Sequence, residues 1–180
     1  MTKRKVKLQN RYYMGTLCKI ALDGKIEDVK QFDIKELLSA IERSGQKNHN
    51  VQLSNCIVKF DNSRYYEKEE CYVIRLYHMK DPENFSRLKE GELAKPIDLD
   101  YGEEIGEKLS IIYDDRNKIL VMPYNQRIFS IKDVQEWMNQ LLYTTNQYEY
   151  SISFSPIQSV RNILISRKNE IRKIETMIEN

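Results

Sequence analysis

The stretch SIIYDDRNKILVMPYNQ, residues 110–126, carries the clearest structural pattern in the chain. Two apolar runs flank a polar segment at residues 114–117, whose short side chains can bond their own backbone and so favour a turn. Apolar residues alternate along both runs, and we therefore predict an antiparallel hairpin. Because Pro123 cannot donate a ladder hydrogen bond, the second strand is predicted to lie at a sheet edge or to end at this residue.

The composition predicts a cytoplasmic, globular protein of one domain. Of 180 residues, 41% are hydrophobic and 31% are charged, and the formal net charge is only +2. This balance excludes a whole-molecule field that attracts nucleic acid, so electrostatic binding must be local. Three scattered cysteines are typical of a reducing compartment. No apolar run approaches the ~20 residues that span a bilayer, and the basic N-terminus does not lead into a signal-peptide core, so we expect no membrane association.

Two helices have complete start signals. The segment QFDIKELLSAIERSG offers Asp33 as a cap and Glu36 at the capping-box position, and Gly45 provides a left-handed exit. The segment SIKDVQEWMNQLL repeats this start with Ser130 and Asp133. Apolar residues at helical spacing follow both starts, so each helix is predicted to bury one stripe against a sheet.

Alternating apolar residues predict the strands of that sheet. In CYVIRLYHM, residues 71–79, both faces carry large side chains, as expected for an inner strand of a partly covered sheet. Residues 14–30 are predicted to be irregular, and residues 81–106 are predicted to form an acidic loop or a short helix. Besides the hairpin, the predicted strands are residues 5–13, 51–61, 70–79 and 148–154.

The last part of the chain has a helical pattern of its own. Ser155 can cap, Pro156 suits the first helical position, and apolar residues recur at 3–4 spacing. About 25 helical residues would reach roughly 37 Å. Such a stripe must be buried on its own sheet or on a partner, including a second copy, and a strand over NILIS is the remaining possibility. The predicted partner interface is Ile157, Val160, Leu164, Ile171, Ile174 and Ile178.

These elements together predict an α+β fold. We expect a mainly antiparallel sheet with two helices packed on it and a long C-terminal amphipathic helix. The α+β domain is predicted over residues 1–155. Residues 156–180 are predicted to form the C-terminal helix, either within the same domain or as a partner-binding extension.

No pattern in the sequence indicates catalysis, a metal or a cofactor. The two histidines, His49 and His78, lie far apart and no cysteine pair accompanies them. Glycine-rich phosphate loops and the nucleophile elbow are absent from the sequence. Asp114 and Asp115 offer the hairpin carboxylates that a metal-dependent nuclease needs, although a turn favours aspartate in any case. We therefore predict no catalytic residues, no metal ligands and no cofactor, with a cryptic metal-dependent nuclease as the alternative.

Basic side chains cluster towards the two ends of the chain. Lysine and arginine can contact phosphates, and the neighbouring Tyr12 and Tyr13 can stack on bases. A solvated charged face is the structural explanation of the same pattern. The predicted nucleic-acid-binding residues are Lys3, Arg4, Lys5, Lys7, Arg167, Lys168, Arg172 and Lys173.

From residue 102 onward the chain resembles an uncharacterised family of bacterial domain-of-unknown-function proteins. The shared features are an acidic lead-in at residues 103–107, the Tyr113-Asp114 turn, an apolar strand over residues 118–122, Asn125, and a helix over residues 131–142. The segment FDIKELLSAI is similar to the first helix of that family, whereas Pro123 stands where the family has glutamine. The resemblance implies an association with mobile elements and phage-defence genes, and a distant similarity to Rex-type and Kiwa-type phage-exclusion proteins, some of which bind DNA.

The sequence thus predicts a non-enzymatic binding or assembly protein. We expect it to be a component of phage defence or of a mobile element that contacts DNA, RNA or a partner protein. Homo-oligomerisation, or docking on a larger subunit, would use the C-terminal helix.

Overall fold

A computed structural model describes residues 10–21, 24–44, 49–54, 56–81, 83, 86–87, 93, 95–123, 129–143 and 149–157. The helices are α1 (Ile34–Ser44) and α2 (Ile131–Tyr143). The strands are β1 (Asn10–Ile20), β2 (Ile26–Gln31), β3 (His49–Gln52), β4 (Ile57–Tyr66), β5 (Cys71–Lys80), β6 (Ser86–Arg87), β7 (Lys95–Pro96), β8 (Ile105–Asp114), β9 (Ile119–Pro123) and β10 (Glu149–Pro156).

Eight of these strands form one antiparallel sheet that curls into a half-barrel. Its order is β10-β1-β9-β8-β5-β4-β3, and β2 also pairs with β1. The long strand β1 pairs on one side with β10. On its other side it pairs first with β9, over Asn10–Met14, and then with β2, over Thr16–Ile20. The short strands β6 and β7 pair with each other.

The main hydrophobic core lies between the two helices and one face of the sheet, which we call the inner face. Trp137 of α2 is fully buried and stacks on Phe60 of β4, with ring centroids 6.2 Å apart. The buried Tyr113 hydroxyl donates a hydrogen bond of 2.7 Å to the carbonyl of Phe32, just before α1. Burial raises the pKa of this tyrosine, so it stays a neutral donor.

Both predicted helices are confirmed, and their caps can be compared. At α2 the backbone N–H of Ser130 donates to Asp133 Oδ2 at 2.7 Å, and the N–H of Asp133 donates to Ser130 Oγ at 3.2 Å. This is a complete capping box. At α1 the N–H of Lys35 donates to Asp33 Oδ1 at 3.0 Å, which confirms Asp33 as the cap. The Glu36 carboxylate contacts Lys30 Nζ at 2.8 Å, a different partner from the predicted one.

The hairpin of residues 110–126 is confirmed as β8 and β9, with its turn at residues 115–118. Strand β9 ends at Pro123, which confirms one of the two predicted alternatives. It does not lie at an edge, because β1 and β8 flank it. Strand β5 is likewise confirmed as an inner strand, between β4 and β8.

The predicted α+β fold class is wrong. The described residues are 56% strand and 19% helix, so the protein is a mainly antiparallel β structure with two short helices. Residues 14–30, predicted to be irregular, supply the second half of β1 and nearly all of β2. Their hydrogen bonds come from pairing with distant or adjacent strands, and this pairing does not require alternating side chains.

The long C-terminal helix is absent from the described residues. Ser155 and Pro156, predicted as its cap and first residue, instead end β10, opposite Met14 and Tyr13 of β1. Strand pairing satisfies the backbone here and overrides the local helix-start signal. Residues 158–180 lie outside the described part of the chain, so the division at residue 155 stays a prediction.

Helix α2 covers the outer edge of β10 with its side chains. Asn139 Oδ1 accepts a hydrogen bond of 2.6 Å from the N–H of Ile152, and Asn139 Nδ2 donates to the carbonyl of the same residue at 3.3 Å. Gln135 Oε1 accepts from the N–H of Phe154 at 3.2 Å. Because Asn139 and Gln135 are four positions apart, they lie on one side of the helix. They take the place of a neighbouring strand.

The neighbouring side of α2, one residue further along the helix, reaches the other end of the sheet, at β3. Gln140 Nε2 donates to the carbonyl of Gln52 at 3.0 Å, and Glu136 Oε1 accepts from the N–H of Ser54 at 3.1 Å. These two helix residues are also four positions apart. One helix therefore bridges both ends of the curled sheet while its apolar stripe fills the core.

Candidate functional site

Most of the sequence-predicted binding residues lie outside the described part of the chain. This holds for all eight predicted nucleic-acid-binding residues, Lys3, Arg4, Lys5, Lys7, Arg167, Lys168, Arg172 and Lys173, and for Val160, Leu164, Ile171, Ile174 and Ile178 of the predicted partner interface. Their roles stay predictions.

Ile157 is the described member of the predicted interface, and it packs against its own sheet. It contacts a cluster of buried apolar residues on the face opposite the main core, which we call the outer face. Its N–H donates a hydrogen bond of 2.9 Å to the carbonyl of Tyr12. The outer apolar cluster consists of Cys71, Val73, Ile112, Ile119 and Val121.

Beyond this cluster the outer face of β4, β5 and β8 becomes polar and cationic. Directly opposed residues of antiparallel strands share a face, and the face alternates along each strand. Since Val73 and Ile112 belong to the outer apolar cluster, the alternate positions on these strands also point outward. Two successive rows across β4, β5 and β8 are Asn62, Arg75 and Ser110, and then Lys59, Tyr77 and Lys108.

We call Lys59, Arg64, Arg75, Lys108, Tyr66 and Tyr77 the cationic face. Lys59 Nζ contacts Glu104 Oε2 at 2.7 Å, so one of its four positive charges is partly neutralised. The Arg64 guanidinium lies 5.1 Å from the centre of the Tyr66 ring, in a cation–π contact. Within the part of the chain that the structure describes, Arg64, Arg75 and Lys108 form no ion pair with a carboxylate. The three cations are therefore available to an external anion.

The spacing of the cationic face suits a phosphate chain. Neighbouring strands lie about 4.8 Å apart, so the lysines on the two sides of Tyr77 are roughly 10 Å apart at the backbone. Arg75 and Lys108 are diagonal neighbours, at about 7–8 Å. Long basic side chains at these separations can contact successive phosphates, and a half-buried tyrosine between them offers a ring on which a base can stack.

The hairpin carboxylates of the nuclease alternative are used within the turn. Asp114 is 3% exposed, and its Oδ1 accepts hydrogen bonds of 3.1 Å from the N–H groups of Arg116 and Asn117. Its Oδ2 accepts from Asn117 Nδ2 at 2.8 Å. Asp114 therefore holds the turn together and presents little carboxylate surface to a cation.

Asp115 is held by two lysines. Lys118 Nζ contacts its Oδ1 at 2.7 Å and Lys35 Nζ contacts its Oδ2 at 2.8 Å. Burial acts to raise the pKa of Asp115, but the hydrogen bonds from these lysines outweigh it and the pKa lies below its ordinary value. Lys118 also contacts Asp33 Oδ2 at 2.7 Å, so the cluster fastens the hairpin turn to the start of α1. Among the described residues, no three His, Cys, Asp or Glu side chains gather to hold a metal ion.

A groove of about 810 Å³ lies between α2 and β10. Several of the side chains that line it already bond strands: Gln135 and Asn139 bond β10, and Gln140 bonds β3. The groove is therefore part of the edge covering described above.

Sequence reasoning detected part of the cationic face. The alternation in CYVIRLYHM places Arg75 and Tyr77 on one face of β5, and the structure confirms this. Sequence reasoning missed Lys59 and Lys108, because their meeting with Tyr77 depends on the register of three strands that lie far apart in sequence.

A comparison with models of protein families finds a match over nearly the whole chain. The model of DUF6731, described as a family of unknown function, matches residues 1–179, and the chain belongs to this family. A search of curated proteins finds no match. The predicted relation to a domain-of-unknown-function family is therefore confirmed, whereas its association with mobile elements and defence stays a prediction. Neither described helix is long and apolar enough to cross a membrane.

Proposed function

We propose that this DUF6731 protein is a non-enzymatic binding protein that contacts the phosphate backbone of nucleic acid through its cationic face. The observation that carries the proposal is the row Lys59–Tyr77–Lys108 with Arg75 in the adjoining row. Flat arrays of basic and aromatic side chains bind single-stranded nucleic acid without reading its sequence, because phosphates and base faces recur in every strand.

The hydrogen bond between Ile157 N–H and the Tyr12 carbonyl brings the start of β1 close to the end of β10, beside the outer apolar cluster. The basic residues at 3–7 and 167–173 lie outside the described residues, so their phosphate contacts stay a prediction from the sequence. A role in phage defence or in a mobile element remains part of the proposal and rests on the family resemblance.

Fluorescence anisotropy with a labelled 20-nucleotide single strand, and with its duplex, tests the proposal across a salt titration. Three neutralised phosphates, one for each available cation, give a log–log salt slope of about −2 for the single strand and about −3 for the duplex. The double variant Arg75→Glu and Lys108→Glu should weaken binding at least tenfold and reduce the magnitude of the slope. The matched control, Arg43→Glu and Lys132→Glu, makes the same change in net charge on the helices α1 and α2 and should retain the wild-type slope.

Two results would contradict the proposal. One is a wild-type protein that fails to bind either probe at low salt. The other is equal weakening by the two double variants, which would show a response to net charge and not to the cationic face.

A further inference from the structure

Strand β2 is an exposed strand at the side of the sheet. All six of its residues, IEDVKQ, are exposed, and the apolar side chains of Ile26 and Val29 are 58% and 57% accessible. Among the described strands β2 pairs with β1, and its other side carries no described strand. It therefore presents an open edge to which another strand can be added.

The register shows which backbone groups this edge offers. The N–H of Phe32 donates to the carbonyl of Gly15, and the same register places Val29 opposite Cys18. Antiparallel pairs alternate between hydrogen-bonded and non-hydrogen-bonded, so the Val29–Cys18 pair is of the second kind. Val29 and Gln31 consequently direct their N–H and carbonyl groups away from β1.

We propose that β2 pairs with β2 of a second copy, antiparallel, about a two-fold axis through Val29. In this register the two Val29 residues exchange backbone hydrogen bonds and bring their exposed side chains together. Asp28 then lies opposite Lys30 of the second copy, whose ammonium also contacts Glu36 of its own chain at 2.8 Å, and the symmetry repeats this pair. Glu27 lies opposite Gln31, so no like charges face each other. This self-complementarity of IEDVKQ selects a second copy as the occupant of the edge.

The proposed dimer has a consequence for the outer face. A two-fold axis perpendicular to the joined sheets keeps the two outer faces on the same side. Both cationic faces would then be presented in one direction, and a single nucleic-acid chain could contact both. The dimer rests on β2 and stands independently of nucleic-acid binding, since the two proposals use different strands and different measurements.

Sedimentation equilibrium of the purified full-length protein between about 5 and 200 µM tests the dimer, because mass action makes dimer formation depend on concentration. We expect a concentration-dependent dimer. The variant Val29→Pro removes an outward N–H that β1 does not use, so it should raise the dissociation constant at least tenfold while leaving the β1 ladder intact. Val29→Ala keeps the N–H and should stay within about threefold of wild type. Circular dichroism of the two variants checks that both are folded.

Disulfide trapping tests the register independently of Val29→Pro. An oxidised mixture of the single variants Asp28→Cys and Lys30→Cys should give a cross-linked dimer, because the two positions face each other. Each variant oxidised separately contains the same native cysteines and should give much less. A monomeric wild type at the highest concentration would overturn the proposal. A dimer that Val29→Pro leaves unchanged and that gives no mixed cross-link would also overturn it.

Discussion

Two strands at the sides of the sheet, β10 and β2, differ in whether other residues bond their outward backbone groups. At β10 the outward N–H and carbonyl of Ile152 both bond the Asn139 side chain of α2, and the N–H of Phe154 bonds Gln135. At β2 the corresponding groups of Val29 face outward with no described strand beside them. An uncovered edge is costly in a protein that must avoid non-specific association, and natural sheets usually cover or charge it. The protein closes the β10 edge with its own side chains, whereas the edge at β2 is the one that the proposed dimer would use.

The residue types at the two edges fit this division. Helix α2 uses amides, which can donate and accept, and each of them replaces part of a strand. Strand β2 carries two acidic residues, two apolar residues and one basic residue, which discourage pairing with arbitrary strands and permit pairing with a complementary one. The following predictions compare the stabilities of the covered and open regions, measured by urea denaturation at about 1 µM protein so that association does not contribute.

The largest effect is expected at the anchor of the covering helix. Trp137 is fully buried and stacks on Phe60, so Trp137→Ala leaves a cavity between α2 and the inner face. We expect the free energy of unfolding to fall by about 3–5 kcal/mol. Trp137→Phe preserves an aromatic ring and should lose less. Equal stability of Trp137→Ala and wild type would show that α2 does not hold the sheet together.

A smaller loss is expected when the β10 edge is uncovered. Asn139→Ala leaves the N–H and carbonyl of Ile152 without their side-chain partner, at a cost of about 1–3 kcal/mol. Hydrogen exchange of the Ile152 amide should also become faster. Gln140→Ala removes one exposed hydrogen bond, to Gln52 of β3, and should cost under about 1 kcal/mol. A larger loss for Gln140→Ala than for Asn139→Ala would show that the contact with β3 stabilises the fold more than the covering of β10.

The next smaller loss of stability is expected at the cap of α2. Ser130→Ala removes one half of the capping box and should lower the free energy of unfolding by about 1 kcal/mol. Ser39→Ala, at an exposed position within α1, provides the matched control and should change it by less than about 0.5 kcal/mol. If the two variants lose the same amount, the Ser130 hydroxyl does not cap α2.

Local signals account for what could be predicted from the sequence. The caps at Asp33 and Ser130 and the hairpin turn that follows Asp114 involve residues that are close in the chain, so their patterns are visible without a structure. The covering of β10 joins Asn139 to Ile152 in the adjacent element, and the bridge to β3 spans from Gln140 back to Gln52. Such pairings depend on how the sheet curls, which no local pattern specifies.

The dependence on pairing between distant residues also explains why the fold class was predicted wrongly and why only part of the cationic face could be recognised. Strand β2 lacks alternating apolar residues because neither of its faces is buried, so the usual strand signal is missing. Ser155 and Pro156 carry a helix-start signal that pairing with β1 overrides. The cationic face needs the register of β4, β5 and β8, whereas its β5 members were recognisable by alternation within one strand.

The smallest effect is expected at the open edge, and one substitution made at two valines sharpens the contrast. Val73 is 2% exposed in the outer apolar cluster, so Val73→Thr buries a hydroxyl and should cost about 1–2 kcal/mol. Val29→Thr makes the same chemical change at 57% exposure and should alter stability by less than about 0.5 kcal/mol. Both residues lie in strands and threonine suits strands well, so strand propensity cancels between the two variants. A loss at Val29 that equals the loss at Val73 would mean that β2 is covered in solution even at low concentration, and the edge would then contribute to folding and not to contact.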